Sequence, residues 1–477
     1  MTITASNTLE FKWTSPRSSR SSFRTTTDAE QKISIDMSNT YCDQVLGPLY
    51  SYMMVLGLNH THSSARNTMF KWPLTIYNYA TLAVLTAATI RRISQIKQKS
   101  VTNEEKDAAF HVLNPTFVLT LCHALLMFSG LAAAFLLLKL QKQREKMYHV
   151  LDQGLGRNRN EEHDDHHFKL NKLFIGISFS FAAALSFVQI GMDKRRETMN
   201  KIKIPATKLK YLDLPDTPDL INRKLYFVIL EGYVIFIASS CISLVAILFF
   251  QLCRILQFSI GQLIEEMVPK EKEECPLPEQ SLQQIHDVQI HYQEISNAKL
   301  YIEQNFSFSL FYTYGCCIPL TCLLGYIAFR NGIQADMAET FSVVIWLTNT
   351  MLALMLFSIP AFMIAEEGDK LLTASFKMYH ETLCEERDLL VLVSFIRYTY
   401  FNNTPIQSQM SFLSFQMHAT KLTLTAGNFF MMNRKIMISL FSAIFTYFLI
   451  LVQFDAEKER AGECNNQSRV LIVQPPM

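Results

Sequence analysis

Hydrophobic residues in this chain are gathered into long runs that polar segments separate. Each run has about the length that an α-helix needs to cross a bilayer, roughly 20 residues. Lys and Arg flank most of the runs, as expected for side chains that reach toward lipid headgroups. The pattern therefore predicts seven membrane-spanning helices, over residues 73–90, 116–138, 173–190, 226–250, 306–329, 341–365 and 436–454.

Two of the polar connections continue the helical pattern beyond the membrane. Residues 251–305 follow the fourth span and contain a polar helix that returns to the fifth span after a break at ECPLPEQ. Residues 366–434 precede the last span and are amphipathic. Both would lie in the cytoplasm, on the amino-terminal side, which predicts helical extensions that form a shared anchor region for assembly. A solvated coiled region is the alternative.

The two ends of the chain differ from its apolar middle. Residues 1–43 lack the apolar side chains that offset chain entropy, so they are expected to form a disordered cytoplasmic tail. Residues 45–58 are apolar but too short to span, which favours an interfacial or re-entrant segment. The expected order is a six-helix ligand-binding bundle over 44–365, anchor helices over 366–434, a seventh helix over 435–455 and a short extracellular tail over 456–477.

The distribution of Lys and Arg over the loops indicates the orientation. The loops on the amino-terminal side carry the larger share, which favours an intracellular amino terminus and an extracellular carboxyl terminus. The basic stretch DKRRETMNKIKIPATKLK lies on the opposite side and counts against this orientation. Charge alone therefore favours one orientation without deciding it.

Composition narrows the classes of function. The chain has 477 residues, of which 49% are hydrophobic and 18% are charged, with a formal net charge of +2. A soluble domain carries about 25% charged residues. The expected partner is therefore the lipid membrane and not a nucleic acid. The cysteines show no zinc-type spacing and no disulfide framework. The sequence shows no nucleophile–base pair and no phosphate-binding loop, so neither an enzyme nor a cofactor is expected.

One polar segment carries possible metal ligands. Residues 161–167, EEHDDHH, place carboxylates and imidazoles close together. No second ligand cluster is evident, so a solvated loop is the favoured interpretation and no metal is expected. A metal site at this loop is the alternative.

The last apolar run carries polar atoms at depths where lipid makes them costly. It reads KIMISLFSAIFTYFLILVQFD and includes Thr446, Tyr447 and Gln453. Thr446, Ile450 and Phe454 recur at the helical i, i+4 spacing, and Gln453 lies beside that stripe. Such a stripe is expected either for the wall of a pore or for contacts to neighbouring helices.

A nine-residue segment of this run resembles the signature that closes the last helix of the invertebrate gustatory receptors. That signature is a Thr-Tyr pair, five hydrophobic residues and Gln-Phe, and Thr446-Tyr447, FLILV and Gln453-Phe454 match every position. The chain length, the seven predicted spans and the long loop before the last span are similar to that family as well. The chain is thus identified as a member of this family, in the insect chemoreceptor superfamily. The branch within the family stays open, and a nematode-type member is one alternative.

The resemblance implies a ligand-gated, non-selective cation channel in the plasma membrane of sensory neurons. Family members look like tetramers, of one chain or of co-assembled related receptors, whose last helices line a central pore. Carried over by the motif, Gln453 and Phe454 lie at the constriction, with Ile450 one turn below. A ring of Phe454 side chains would form a dewetted gate. Thr446 and Tyr447 are assigned to contacts between helices.

The family's ligand pocket lies in the outer half of the bundle, so outer polar and aromatic side chains are candidates for binding a small molecule. They are His123, Gln189, Glu231, Tyr233, Tyr326, Trp346 and Asn349. Glu231 is costly inside a span and should face a cavity or a partner, such as His123, unless it reaches the headgroups. Trp346, Tyr233 and Tyr326 would wall an aromatic pocket, for which ordinary core packing is the alternative.

Other functions stay open at this point. A heptahelical G-protein-coupled receptor would carry an Asp-Arg-Tyr-like triplet after the third span and Asn-Pro-x-x-Tyr in the seventh, where this chain has GMDKRRE and no proline. A transporter would show internal repeats or several broken helices with buried charges. Some nematode relatives in the gustatory family respond to light or peroxide. The stimulus and the subunit partners do not follow from the sequence.

Overall fold

The membrane-spanning helices lie where the apolar runs predict them. The computed structural model describes residues 46–53, 55–56, 71–102, 115–143, 146–147, 169, 172–188, 190–191, 218–267, 278–334, 337–393 and 405–472. Its helices are α1 (Lys71–Thr102), α2 (Pro115–Lys142), α3 (Lys172–Val188), α4 (Pro218–Met267), α5 (Pro278–Gln334), α6 (Met337–Val393), α7 (Pro405–Ala419) and α8 (Arg434–Ile472). Two short strands, β1 (Thr425–Ala426) and β2 (Phe430–Met431), precede α8.

The fold is all-α and confirms the predicted class of membrane protein. Of the numbered helices in the described part of the chain, all except α7 coincide with the seven predicted spans. Among the described helices, α2, α4, α5, α6 and α8 are long and apolar enough to cross a bilayer. The apolar helix α3 is shorter, and α1 is long but ends in the polar sequence RRISQIKQKSVT.

Helix α4 forms the centre of the bundle and packs against α2, α5 and α6. Its contact with α2 depends on small residues, because a Cβ added at Gly130 would lie 2.5 Å from the Cβ of Ala238. Toward the other end of its apolar part, Phe249 packs against both Phe306 of α5 and Phe357 of α6, with 5.4 Å between ring centroids in each pair. These contacts gather α2, α5 and α6 around one side of α4.

Helices α4, α5 and α6 continue past their apolar parts at the same end of the bundle, which we call the extended end. There His291 Nδ1 of α5 lies 3.2 Å from the Glu266 carboxylate of α4. The Tyr292 hydroxyl donates to the Thr420 carbonyl at 2.8 Å, which ties α5 to the segment after α7. The predicted helical extensions are therefore present. Of the break at ECPLPEQ, residues 274–277 lie outside the described residues, and α5 begins at Pro278.

Residues 46–53 form a short helix that inserts into the bundle. Leu46, Leu49 and Met53 are buried in the common core. The Tyr52 hydroxyl donates to the Ser240 hydroxyl at 3.0 Å, halfway along the apolar part of α4. The described part of this segment thus packs against the core of the bundle.

The last helix is longer than the sequence pattern predicts. We expected the seventh helix to end at 455 and a tail to follow over 456–477, but α8 continues to Ile472. The continuation, AEKERAGECNNQSRVLI, has several good helix formers and no proline, so nothing in it forces the helix to stop. The start of α8 is capped, because the Asn433 side chain accepts a hydrogen bond from the Ile436 amide at 2.9 Å.

Candidate functional site

The apolar part of α8 has little contact with the rest of its own chain. Only 6% of its most apolar stretch is buried, compared with 72% for the corresponding stretch of α4. Phe454 is 58% exposed and Ile450 38% exposed, and Gln453 is exposed as well. The three residues predicted to line the pore therefore lie together on a surface that faces lipid or another subunit.

The contact of α8 with its own subunit is made to α5. The ring of Phe448 packs edge-on against Phe329, and its Cδ2 would lie 3.4 Å from a Cβ placed at Gly325. The Cys322 thiol donates to the Ile444 carbonyl at 3.6 Å. Cys322, Gly325 and Phe329 lie on one face of α5, so this face supports one side of α8.

Within their own subunit, Thr446 and Tyr447 make no side-chain hydrogen bond or ring contact to another described helix. The Thr446 hydroxyl donates to the Ser442 carbonyl of its own helix at 2.9 Å, and the Tyr447 side chain is 60% exposed. Within the described part of the subunit, the aromatic contact between helices is made by Phe448. A role for Tyr447 in helix packing therefore requires a neighbouring subunit.

A β-hairpin connects the extended end to α8. Strands β1 and β2 are antiparallel, with Thr425 opposite Met431 and Ala426 opposite Phe430. Gly427 and Asn428 in the turn both have positive φ, 59° and 60°. Glycine and asparagine tolerate this region of backbone conformation best. The sequence Gly-Asn thus permits the reversal that leads the chain into α8.

The hairpin is bound to α5 by hydrogen bonds and stacked rings. The Gly427 amide donates to the Ser307 carbonyl at 2.9 Å and to its hydroxyl at 2.8 Å. Phe429 stacks on Phe311 with 4.8 Å between centroids. A further hydrogen bond joins the Thr425 hydroxyl to the Glu303 carboxylate of α5.

Further contacts, one of them within α5 itself, fix the same part of this helix. Lys299 Nζ lies 2.6 Å from the Glu303 carboxylate, one helical turn away. Tyr314 packs edge-on against Phe430 of the hairpin, and its hydroxyl bonds to the Ser358 hydroxyl of α6. The turn of α5 beneath the hairpin is thereby linked to both α6 and the start of α8.

A cavity of about 390 Å³ lies between α2, α4, α5 and α6. Its walls are mostly apolar, with Leu136, Ile242 and Phe357 among them. The polar residues of the lining are Ser129, Lys139, Gln304, Asn305, Ser309, Tyr312, Thr313, Asn349 and Thr350. The size and the few polar groups are typical of a small-molecule site.

Two of the predicted pocket residues line this cavity, namely Trp346 and Asn349. His123 lies directly behind Trp346, edge-on to its ring at 5.2 Å between centroids. The cavity extends from Trp346 to Lys139 and Gln304, next to the extended end. It therefore runs from the half in which the pocket was expected, at Trp346, through the middle of the bundle to the extended end.

The remaining candidates lie elsewhere. Glu231 forms an ion pair with Arg92 of α1, so this carboxylate has a partner other than His123, the candidate that the sequence offered. The Tyr233 hydroxyl lies 3.3 Å from that of Tyr77, and its side chain is 42% exposed. Tyr326 is buried in the core. None of these three side chains lines the cavity, and Gln189 lies outside the described residues.

The sequence did not single out Ser129, Lys139, Tyr312 or Asn305, although all four reach the cavity. Each is an ordinary residue for a helix surface, and only the packing of four helices brings them to one space. Gly130, next to Ser129, is the one sequence signal that could have pointed to this side of α2, because a small residue allows α2 to approach α4 closely there.

Metal binding has no support among the described residues, where no group of three or more His, Cys, Asp and Glu side chains could hold an ion. Residues 161–167, EEHDDHH, lie outside that part of the chain. The cysteines described there, Cys122, Cys241, Cys253, Cys316, Cys317 and Cys322, are free thiols.

Known proteins similar to this chain are receptors. The 7tm chemosensory receptor family matches residues 46–458. Gustatory receptor family protein 3 of Caenorhabditis elegans is 91% identical over 477 residues, which cover 100% of both proteins. High-energy light unresponsive protein 1 of the same organism is 41% identical over 428 residues, covering 90% of this chain and 88% of that protein.

Solved structures with a similar fold include the insect olfactory receptor OR5 of Machilis hrabei. It superposes with a TM-score of 0.60 at 12% identity, covering 88% of this chain and 99% of the receptor. The structure of that receptor in complex with eugenol has a TM-score of 0.57 at 12% identity, covering 86% of this chain and 100% of the receptor. These likenesses and the relatives confirm a multi-pass, non-enzymatic membrane receptor. The chain belongs to the 7tm chemosensory receptor family, as an invertebrate gustatory receptor.

Proposed function

We propose that this chain is a subunit of a ligand-gated, non-selective cation channel in the plasma membrane of sensory neurons. The observation that carries the proposal is the exposure of α8. This helix is long enough to cross a membrane, and only 6% of its most apolar stretch is buried within its own subunit. A helix whose only role was to stabilise the bundle would be expected to pack against it through more than one face, because helix contacts in membranes are stabilised by close packing. The exposed side of α8 therefore suits one part of a pore wall that other subunits complete.

The motif residues give this wall the chemistry of a gate. Phe454 and Ile450 present apolar side chains, and a narrow apolar ring excludes water when the channel is closed. The Gln453 amide is neutral and can replace part of the hydration of a passing cation without selecting one ion strongly. The proposed assembly is a tetramer of this chain or a co-assembly with related receptors.

The cavity is the proposed site for the stimulus, a small molecule. Gln304, Phe308 and Tyr312 of α5 line the cavity, at i, i+4 and i+8. Glu303, Ser307 and Phe311 form the adjacent stripe and hold the hairpin. A ligand that turns or tilts α5 would therefore displace the hairpin and with it the first turn of α8.

The interior of α5 contains a position where such a movement is possible. Pro319 lies one helical turn beyond Cys316, within the helix, and proline removes one backbone hydrogen bond there. The α5 residues that hold the hairpin, and all but one of those that line the cavity, precede Pro319, whereas the part that supports Phe448 follows it. Relative movement of these parts would change the tilt of α8.

The olfactory receptor OR5 supports binding of a small molecule by this fold, since one of its structures contains eugenol. The orientation that we propose keeps the amino terminus and the extended end in the cytoplasm. The gate then lies toward the outer surface, and the cavity runs from Trp346 in the outer half of the bundle to Lys139 near the inner surface.

The test is to express the full chain alone in cells that lack related receptors and to record membrane currents. Tastants are applied with G-protein signalling blocked by a nucleotide analogue. A rapid, ligand-evoked cation current that persists under the block is the expected result. A response that disappears under the block would instead identify a G-protein-coupled receptor and contradict the channel.

A second candidate function is activation by light or peroxide. The name of the relative at 41% identity, High-energy light unresponsive protein 1, refers to high-energy light. Trp346 of this chain is 1% exposed, with its ring against His123. A buried indole absorbs ultraviolet light next to the proposed ligand cavity. Currents evoked by ultraviolet illumination or by peroxide without any tastant would favour this function. Trp346→Phe should then reduce the light response and spare the current evoked by peroxide.

A further inference from the structure

The cavity between α2, α5 and α6 opens sideways, toward the surface that faces lipid. Phe135 of α2 and Phe308 of α5 both line it and are 53% and 69% exposed, respectively. On the surface of membrane-spanning helices, exposed phenylalanines contact acyl chains. A molecule dissolved in the bilayer can therefore reach the cavity between these two rings without passing through water.

One end of the cavity carries a positive charge. Lys139 lines it and is the first residue after the predicted second span, with an exposed side chain. Gln304, also exposed, and Asn305 reach the cavity at the same end. Among the described residues no carboxylate forms an ion pair with Lys139. A lysine at this depth extends its ammonium toward the headgroup region, where an anion would be its partner.

The other end of the cavity is closed by a buried aromatic side chain. Trp346 lines the cavity and is 1% exposed. The face of its ring can pack against a hydrocarbon chain. Between Trp346 and Lys139 the lining is mainly apolar, with Leu125, Ala132 and Leu136 of α2 on one side.

We propose that this cavity binds a single-chain amphiphile with an anionic head, of the fatty-acid class, which enters from the bilayer. Lys139 binds the carboxylate, and the acyl chain extends past Leu136 toward Trp346. The inference rests on the proposed function in one respect, since it names the class of molecule that would occupy the site of the stimulus.

Length and volume favour a single acyl chain. His123 touches Trp346 and precedes Lys139 by sixteen residues on α2. At 1.5 Å per residue this corresponds to about 24 Å along the helix, the scale of an extended long-chain fatty acid. The volume, about 390 Å³, is near the lower end of the range for ligand pockets, roughly 300–1,000 Å³. A lipid with two acyl chains requires more space.

The test measures equilibrium binding of radiolabelled oleate to the purified full chain in nanodiscs of phosphatidylcholine. Lys139→Gln should weaken binding about tenfold, because a charge-assisted hydrogen bond is lost. Lys142→Gln is the matched control, one turn further along α2 and absent from the cavity lining, and should bind as the original chain does. Lys139→Arg retains the charge and should restore binding.

Two further measurements do not depend on the folding of the lysine variants. Methyl oleate, which has no charge, should bind the unmodified chain about tenfold more weakly than oleate. Ala132→Phe, which fills the cavity without altering a charge, should abolish binding of oleate. Equal affinities for oleate and methyl oleate, or equal effects of Lys139→Gln and Lys142→Gln, would overturn the proposal. Displacement of oleate by an equal concentration of dioleoyl phosphatidic acid would overturn the single-chain assignment.

These binding measurements require no current. A chain that binds oleate with this dependence on Lys139 and passes no cations would contradict the proposed channel and leave the amphiphile site in place. A chain that conducts in response to tastants and binds oleate no better than methyl oleate would contradict the site and leave the channel in place.

Discussion

Phe454 and Gln453 are exposed near the end of the apolar part of α8, next to each other in sequence and on a surface that the subunit leaves open. Their neighbour by one turn, Ile450, is also exposed. The short motif identified these residues from the sequence because it is local to one helix. Their exposure depends on how α8 packs, which the motif does not describe.

The residue with the clearest expected effect on conduction is Phe454. Phe454→Ala removes the largest apolar side chain from the proposed gate, so water and ions should pass in the absence of a ligand. The expected result is a leak current several-fold above that of the original channel, measured at equal surface expression. Phe445→Ala is the matched control, since Phe445 is 61% exposed and lies half a helical rotation away from Phe454. An equal leak in both variants would contradict the gate.

The ion pair between Arg92 and Glu231 is expected to stabilise the bundle. Both side chains are partly buried, with 17% and 23% of their surfaces exposed. Glu231→Gln should lower the free energy of unfolding by about 1–3 kcal/mol, because Arg92 would lose its partner in a poorly hydrated place. Thermal unfolding of the purified chain in detergent measures this. The exchanged pair, Arg92→Glu with Glu231→Arg, should recover part of the loss, and no recovery would show that the pair itself contributes little.

Among the elements, the hairpin before α8 was the one that the sequence did not predict. Its strands are two residues each, too short for any alternation of polar and apolar residues to appear. The spans and their extensions were predictable because each is long and carries its own apolar pattern. The end of α8 was missed since a polar helix without proline gives no clear stop.

The hairpin also gives a sharp test of coupling. Gly427→Val should displace it from α5, because Gly427 has a φ of 59° and a Cβ there would lie 2.9 Å from the Cβ of Phe311. The strained backbone and the close contact together should cost about 2–4 kcal/mol of stability. The expected result is a ligand-evoked current that is strongly reduced at normal surface expression.

Gly261→Ala is the matched control for this substitution. Gly261 lies within α4, and a Cβ there would meet nothing within 4 Å. Alanine in a helix interior is favoured over glycine by roughly 0.5–1 kcal/mol, so this variant should be as stable as the original or slightly more. If Gly427→Val responded to ligand as well as Gly261→Ala does, the hairpin would not transmit the signal.

At the scale of the whole molecule, the sequence indicated the helices and their order, and the structure showed which of their faces meet. The cavity illustrates the difference. Trp346 and Asn349 were expected in a pocket, but Ser129 and Tyr312 join them only because α2 and α5 are rotated toward α6. Such rotation is set by packing across four helices and not by any single segment.

The number of subunits can be tested directly. Native mass spectrometry of the chain in mild detergent should show a tetramer, because in the proposed assembly other copies cover the exposed face of α8. A photoreactive residue in place of Tyr447, which is 60% exposed, should cross-link two subunits. The same residue in place of Ile76 of α1, which is 61% exposed, should react mainly with lipid. A monomer without cross-links at either position would contradict the proposed assembly.

The open face of α8 has a consequence for inheritance. In a ring of like subunits, every copy contributes to the wall of the one shared pore. A chain that inserts and assembles normally but carries an altered Phe454 would enter rings with intact copies and impair them. A chain that fails to assemble would leave the intact copies to form rings of their own. Missense alleles near the end of α8 are therefore expected to be dominant, and alleles that remove the helix recessive.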